Sequence, residues 1–135
     1  MLNDLEGDNV YEHGELIIYQ TEDGLTKIDV TMQDETVWLN QADMSTLFQT
    51  TKQNISLHIS NIFKDGELDS ISVVKEYLTT GADGKKYKTK FYNLDVIISV
   101  GYRVKSQRGV QFRIWATNIL KEYIKKSFAM DDDRL

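Results

Sequence analysis

Apolar and polar residues alternate in the first third of the chain, which is the pattern of half-buried β-strands. In one run Ile28, Val30 and Met32 alternate with charged or polar neighbours. Turn-forming pieces, EDG and QDE, separate this run from its neighbours. The pattern therefore predicts an antiparallel β meander over residues 14–39, with strands at about 15–20, 26–31 and 35–39.

In the residues after the meander, apolar side chains recur at the spacing of α-helices. Asn40 is suited to cap a short helix in QADMSTLFQ, and Thr50 or Thr51 is suited to cap a second helix over about 52–65. Gly66 is placed to end that second helix. Two helices joined by about three residues predict a helix-turn-helix unit over residues 40–66.

The second half of the chain contains a hairpin signal and two more helical patterns. Two β-rich runs flank GADG, which predicts a β-hairpin over residues 71–92. Asn93 and Ser106 are suited to cap two C-terminal helices within residues 93–128. The longer of these carries an apolar side at helical spacing, formed by Phe112, Trp115, Ala116, Ile119, Leu120 and Tyr123.

These elements predict one α+β domain over residues 1–135, with a winged helix-turn-helix-like core between an N-terminal antiparallel β meander and two C-terminal helices. At 135 residues the chain is long enough to bury a hydrophobic core. It has no proline, repeat or low-complexity segment that would indicate a linker.

Charge is divided unevenly along the chain. The net formal charge is −5, but residues 1–50 carry −10, residues 51–127 carry +7 and residues 128–135 carry −2. Local charge matters more than total charge for attraction to a polyanion. The basic segment is therefore compatible with nucleic-acid binding, whereas the acidic N-terminal half could equally be offered to a protein partner.

The helix predicted over residues 52–65 has a polar side suited to contacts with DNA. Ile55, Ile59, Ile62 and Phe63 share the face that packs inward. Amide side chains can pair with adenine, lysine can reach guanine or phosphate, and Leu57 would suit a thymine methyl group. A plain solvated surface helix is the alternative. The side chains predicted to contact DNA are Lys52, Gln53, Asn54, Ser56, Leu57, Ser60 and Lys64.

The hairpin carries three lysines at alternate positions of one strand. Lys86, Lys88 and Lys90 therefore leave the same face and span roughly 14 Å. Such a row is suited to contacts with phosphates, and Lys85 and Lys75 add charge nearby. The alternative is an edge strand that lysines protect from aggregation.

Arg108, predicted to start the last helix, is a further candidate phosphate contact, because a cation is unfavourable at that position unless an anion lies near.

Catalysis has little support in the sequence. No phosphate-binding loop, dinucleotide-binding turn or nucleophile elbow occurs, so no catalytic residues and no cofactor are predicted. With no cysteine and only His13 and His58, no metal site is predicted either. The acidic N-terminus does not resemble a signal peptide and no apolar run could span a membrane, so a cytoplasmic protein is expected.

Three stretches carry a resemblance to a known family. They are VWLNQADMSTLFQTTKQNISLHISNIFKDGEL, YNLDVIISVGYRVKSQRGVQFRIWATNIL and KEYIKKSFAMDDDRL. From about Gly14 to Leu135 the chain resembles the bacterial virulence protein RhuM family. LDVIISVGYRVKSQRGVQFRIWA also resembles the closing helices of phage antirepressor-type domains, Bro-N and KilA-N, which are associated with DNA binding. The family supplies no catalytic residues, and its usual length implies that this chain is the N-terminal part of a longer protein.

The sequence thus predicts a non-catalytic domain of a virulence-associated or phage-derived regulator that binds double-stranded DNA. An antirepressor-like protein-interaction module is the first alternative, with a partner met through the acidic half or through residues 107–127. A regulatory head on an enzyme whose catalytic region is absent is the second. Helix-turn-helix proteins commonly act as dimers, and the long last helix is a candidate contact surface for a homodimer.

Overall fold

The structure is a computed structural model that describes the backbone of residues 14–133 and the side chains of residues 14–126. His13 therefore lies outside the described residues. The strands, numbered in chain order, are β1 (Glu15–Gln20), β2 (Lys27–Gln33), β3 (Thr36–Asn40), β4 (Val74–Thr80) and β5 (Lys86–Asn93). The helices are α1 (Gln41–Phe48), α2 (Lys52–Lys64), α3 (Ser70–Val73), α4 (Leu94–Arg103) and α5 (Gln107–Asp133).

The strands form one antiparallel sheet with the order β1-β2-β3-β5-β4. The predicted α+β class, the N-terminal meander and the C-terminal helices are confirmed. The hairpin of β4 and β5 joins the meander through three residue pairs, Trp38 with Asn93, Leu39 with Tyr92 and Asn40 with Phe91. The sequence did not predict this junction, because a hairpin pattern shows which two strands pair with each other but not which further strand pairs with the hairpin. Residues 86–90 of β5 extend beyond the end of β3.

Side-chain caps set the helix boundaries. The Asn40 side-chain oxygen accepts a hydrogen bond from the Asp43 backbone N–H at 2.8 Å, and Thr51 accepts one from the Asn54 N–H at 3.0 Å. Asn93 and Ser106 cap α4 and α5 in the same way. These contacts satisfy backbone donors that have no partner inside the helix. Gly66, with a φ of 74°, follows the end of α2 as predicted.

Two predicted boundaries differ from the structure. Residues 71–73, expected to begin the hairpin, lie in the single turn of α3. The reason is Asp69, whose carboxylate accepts a hydrogen bond from the Ile71 N–H at 3.1 Å and so caps that turn. The last helix continues to Asp133, beyond the expected end at 128.

The main core lies between one face of the sheet and the helices. Tyr19 on β1 contacts Phe112 on α5 edge-to-face, with ring centroids 5.1 Å apart, and also contacts Trp115. From α2, Ile55 and Ile59 enter the same core. At the α4–α5 crossing, the Phe48 ring packs against two glycines. Its carbon atoms lie 3.3–3.4 Å from the positions that a Cβ atom would occupy on these glycines. Burial of these apolar side chains holds the sheet, α2 and α5 together.

Candidate nucleic-acid interface

The lysines of β5 face the helical side of the sheet. Alternate residues of a strand share one face, so Lys86, Lys88 and Lys90 lie on the same face as Tyr92. Tyr92 is buried in the core, and that face is therefore the one covered by helices. Since β5 extends beyond β3, the three lysines follow Tyr92 outward along the ribbon, and all three are exposed.

The helix α2 presents one polar side toward this ribbon. Ile55, Ile59 and Ile62 are buried and fix the rotation of the helix. Lys52, Ser56 and Ser60 follow one another at intervals of four residues, so they form a row beside the buried face. All three side chains are exposed.

A groove separates that row from the lysine face of the ribbon. Two adjoining depressions form it, and they share Gln41, Lys90 and Tyr92. Lys52 and Lys88 line the first depression, while Ser56 and Ser60 line the second. We call this feature the groove and define it by six residues: Lys52, Ser56, Ser60, Lys88, Lys90 and Tyr92. The structure thus brings five of the predicted DNA-contacting side chains to one surface.

The N-terminus of α1 opens onto the groove. Asn40, Gln41 and Ala42 line its first depression. The Gln41 side-chain amide donates a hydrogen bond to the Tyr92 hydroxyl at 3.2 Å, which ties the start of α1 to β5. A helix N-terminus attracts anions, so this end of α1 adds to the field of the lysines. Sequence reasoning missed Gln41 and Tyr92, although strand alternation could have placed Tyr92 on the lysine face.

The lysines of the groove keep their charges available to a ligand. Lys52, Lys88 and Lys90 make no ion pair with any residue between 14 and 126. One carboxylate, that of Glu76 on β4, lines the groove beside them. The groove is therefore cationic overall, with one negative side chain in its wall.

Three other predicted residues of α2 lie on its outward face, next to the groove. Gln53, Leu57 and Lys64 are exposed, and Leu57 keeps 57% of its surface accessible. Asn54 differs, because it is half-buried and its side-chain amide donates to the Thr50 hydroxyl at 3.0 Å. The structure thus commits Asn54 to an internal contact and leaves Gln53 and Leu57 directed to solvent.

The remaining lysines of the hairpin are placed differently from one another. Lys85 lies in the turn before β5, where its backbone N–H donates to Asp83 at 2.9 Å, and its side chain is exposed at the tip of the ribbon. Lys75 is paired with Phe91 in the β-ladder and so occupies the opposite face from Lys90. There it forms an ion pair with Asp34 and lies 5.0 Å from the centroid of the Trp38 ring. The expectation that Lys75 adds to the basic surface of the hairpin is therefore wrong.

Arg108 lies apart from the groove. Its charge acts on Tyr19 of β1 and on Asp23 in the β1–β2 turn, at the other edge of the sheet. Hydrogen bonds from Thr21 and Leu25, with a smaller contribution from Arg108, hold the pKa of Asp23 below its usual range. Among the described residues Arg108 forms no ion pair, and its buried Nη2 atom has no hydrogen-bond partner there.

Strands β1 and β2 are separated from the β4–β5 hairpin by β3. Asp43 lies in the first turn of α1. Burial of its carboxyl group, together with the nearby Asp29 carboxylate, raises the pKa of Asp43 to about 6. A hydrogen bond from the Asn40 backbone N–H acts in the opposite direction and is outweighed.

Another surface feature lies at the corner between α4 and α5. Tyr102 is 69% exposed there, and Val110 and Ile114 are about half exposed. Tyr102 and Val110 border a shallow depression whose floor includes Gly101 and Gly109.

Among the described residues, no helix is both long enough and apolar enough to cross a membrane.

Fold and surface together define an α+β protein whose five-stranded sheet carries a lysine-bearing ribbon beside a polar helix. The model of the family described as Virulence protein RhuM family matches residues 72–135. The match covers the hairpin and the two C-terminal helices, and it confirms the predicted resemblance over those residues. A search of curated proteins found no match, and neither did a search of solved structures.

Proposed function

We propose that this protein is a non-catalytic domain that binds double-stranded DNA in the manner of a winged helix-turn-helix. In this arrangement α2 enters the major groove, with Gln53, Ser56 and Leu57 nearest the bases. The β4–β5 ribbon acts as the wing and contacts the phosphate backbone through Lys88 and Lys90. Contacts to phosphate fix the position of the protein, while contacts to base edges select sequence.

One observation supports this proposal above the others. Lys52, Ser56 and Ser60 of α2 and Lys88 and Lys90 of β5 line the same groove, although more than twenty residues separate the two groups in sequence. A solvated surface helix and a lysine-protected edge strand would each explain one group alone. Neither explains why both groups face each other across one cationic groove.

The distribution of charge supports the same proposal. The sheet order places β1 and β2 apart from the ribbon, and Lys52, Lys88 and Lys90 make no ion pair with any residue between 14 and 126. The first residues of α1 line the groove together with Lys52, so a phosphate there would lie near a helix N-terminus and a lysine. Duplex DNA would then lie over α2 and the ribbon, with β1 and β2 turned away.

A salt titration with duplex DNA tests the proposal. Four to five phosphate contacts, made by Lys52, Lys88 and Lys90 with the lysines at the tip of the ribbon, predict a slope of log affinity against log salt of about −4. Fluorescence anisotropy of a labelled 20-base-pair duplex between about 50 and 200 mM salt measures this slope. Absence of binding at 50 mM salt would contradict the proposal.

A protein-interaction module of antirepressor type is the second candidate, and the corner of α4 and α5 favours it. Tyr102, Val110 and Ile114 expose apolar surface there, while the Tyr102 hydroxyl accepts a hydrogen bond from Arg113 at 3.5 Å. Exposed apolar surface of this kind is typical of contact sites between proteins. Under the first proposal, substitution of Tyr102 and Ile114 by serine would leave duplex binding unchanged. Under the second, substitution of the groove lysines would leave binding of the protein partner unchanged.

A further inference from the structure

Glu76 is the single acidic side chain in the wall of the groove as the structure describes it. In the β4–β5 ladder it lies directly opposite Lys90. Directly opposed residues of an antiparallel pair share a face, so the carboxylate of Glu76 emerges on the same side as the ammonium group of Lys90. The side chain is exposed, and it makes no hydrogen bond or ion pair with another described residue.

A carboxylate at this position weakens the attraction of the groove for phosphate. It lies beside the three lysines that would contact the DNA backbone, and its charge opposes theirs. Every DNA sequence meets this penalty equally, because every duplex has the same phosphate charge. The penalty is offset only where the ligand offers a hydrogen-bond donor to the carboxylate.

We propose that Glu76 is a specificity-determining residue of the groove and that it accepts a hydrogen bond from the exocyclic amino group of a cytosine or adenine base. This inference rests on the proposed DNA-binding function. In the major groove of DNA, carboxylates accept hydrogen bonds from such amino groups. Phosphates and base carbonyl groups offer no hydrogen-bond donor to a carboxylate. Glu76 thus lowers the affinity of the protein for every duplex and restores it for duplexes that place such an amino group within hydrogen-bonding distance of the carboxylate. It selects these sequences by weakening the binding of all others.

The test compares Glu76→Ala with Glu122→Ala, which removes the same side chain and charge from an exposed position on α5. Each protein is used to enrich sequences from duplexes with a randomised 20-base-pair centre, and affinity for an unselected duplex is measured by anisotropy. Glu76→Ala removes both the charge and the hydrogen-bond acceptor, and it should raise affinity for the unselected duplex about 3- to 10-fold at low salt. It should also remove a preference for cytosine or adenine at one position that the wild-type and Glu122→Ala pools retain.

Three results would overturn the inference or its basis. An affinity gain equal to that of Glu122→Ala would show that Glu76 is not near the phosphates. A gain without any change in the enriched sequences would remove the role in base recognition and leave only repulsion. In both cases the wild-type protein still binds duplex DNA and the proposed function stands, whereas failure of the wild-type protein to bind would remove the proposed function itself.

Discussion

Gln41 and Tyr92 connect two parts of the chain that meet at the centre of the groove. The Gln41 side-chain amide donates to the Tyr92 hydroxyl at 3.2 Å, across 51 residues of sequence. Tyr92 is buried on β5, two residues after Lys90, and Gln41 is the first residue of α1. This hydrogen bond therefore links the lysine-bearing ribbon to the start of α1.

Removal of the Tyr92 hydroxyl should loosen this connection while the ring remains in the core. Tyr92→Phe should lower the free energy of unfolding by about 1 kcal/mol, the usual contribution of a partly buried hydrogen bond. Urea denaturation of Tyr92→Phe, Gln41→Ala and the double variant measures the coupling between the two side chains. Strict additivity of the two single effects would contradict the contact.

The raised pKa of Asp43 predicts a specific dependence of stability on pH. Because the folded-state pKa of about 6 lies above the usual value of 3.8, the folded protein binds this proton more tightly than the unfolded chain does. The free energy of unfolding should therefore fall as the pH rises from about 4 to about 6. Asp43→Asn keeps a hydrogen-bond acceptor for the Asn40 N–H and should be more stable than wild type by about 1–2 kcal/mol at pH 8.

Denaturation curves at several pH values measure this effect. As a control, Asp29→Asn removes the neighbouring carboxylate that helps to raise the pKa of Asp43. The fall in stability should then occur over a lower and narrower pH range. An Asp43→Asn variant that retains the full wild-type pH dependence would show that another group is responsible.

Gln53 and Asn54 are neighbours in sequence with different expected roles. Gln53 is exposed on the outward face of α2, while the Asn54 amide is engaged by Thr50. Gln53→Ala should narrow the spread of affinities among duplexes of different sequence. Asn54→Ala should lower stability by about 0.5–1 kcal/mol through loss of the Thr50 contact and leave that spread unchanged.

Competition binding with a panel of duplexes separates the two effects, and urea denaturation supplies the stability values. The two variants are matched in position and in the type of group removed. Equal erosion of sequence preference by both substitutions would contradict the placement of α2 in the major groove.

Much of the fold could be predicted because local signals set the elements. Asn40, Thr51 and Asn93 cap helices where the sequence indicated, since a cap depends on one side chain and the next three residues. Alternation located the strands of the meander to within two residues. The turn at Ser70–Val73 was missed, because the β-branched residues there favour a strand and the Asp69 cap decides otherwise.

The surface could be predicted only in part. That Lys86, Lys88 and Lys90 share a face follows from strand alternation, but which side of the sheet they face depends on the pairing of β5 with β3. The same pairing sends Lys75 to the opposite face, toward Asp34 and Trp38. Arg108 could not be placed, because its surroundings come from β1 and from the turn at Asp23, over eighty residues earlier.

The most direct test of the groove as the DNA-binding surface is a comparison of two triple variants with equal loss of charge. One replaces Lys52, Lys88 and Lys90 by alanine, and the other replaces the three exposed lysines of α5, at 121, 125 and 126. Duplex affinity is measured by anisotropy at about 50 mM salt, with folding confirmed by circular dichroism. The groove variant should bind about 100-fold more weakly than wild type, with a salt slope less steep by about 2.7, while the α5 variant should lose less than about 3-fold. Equal losses in the two variants would contradict a binding site in the groove.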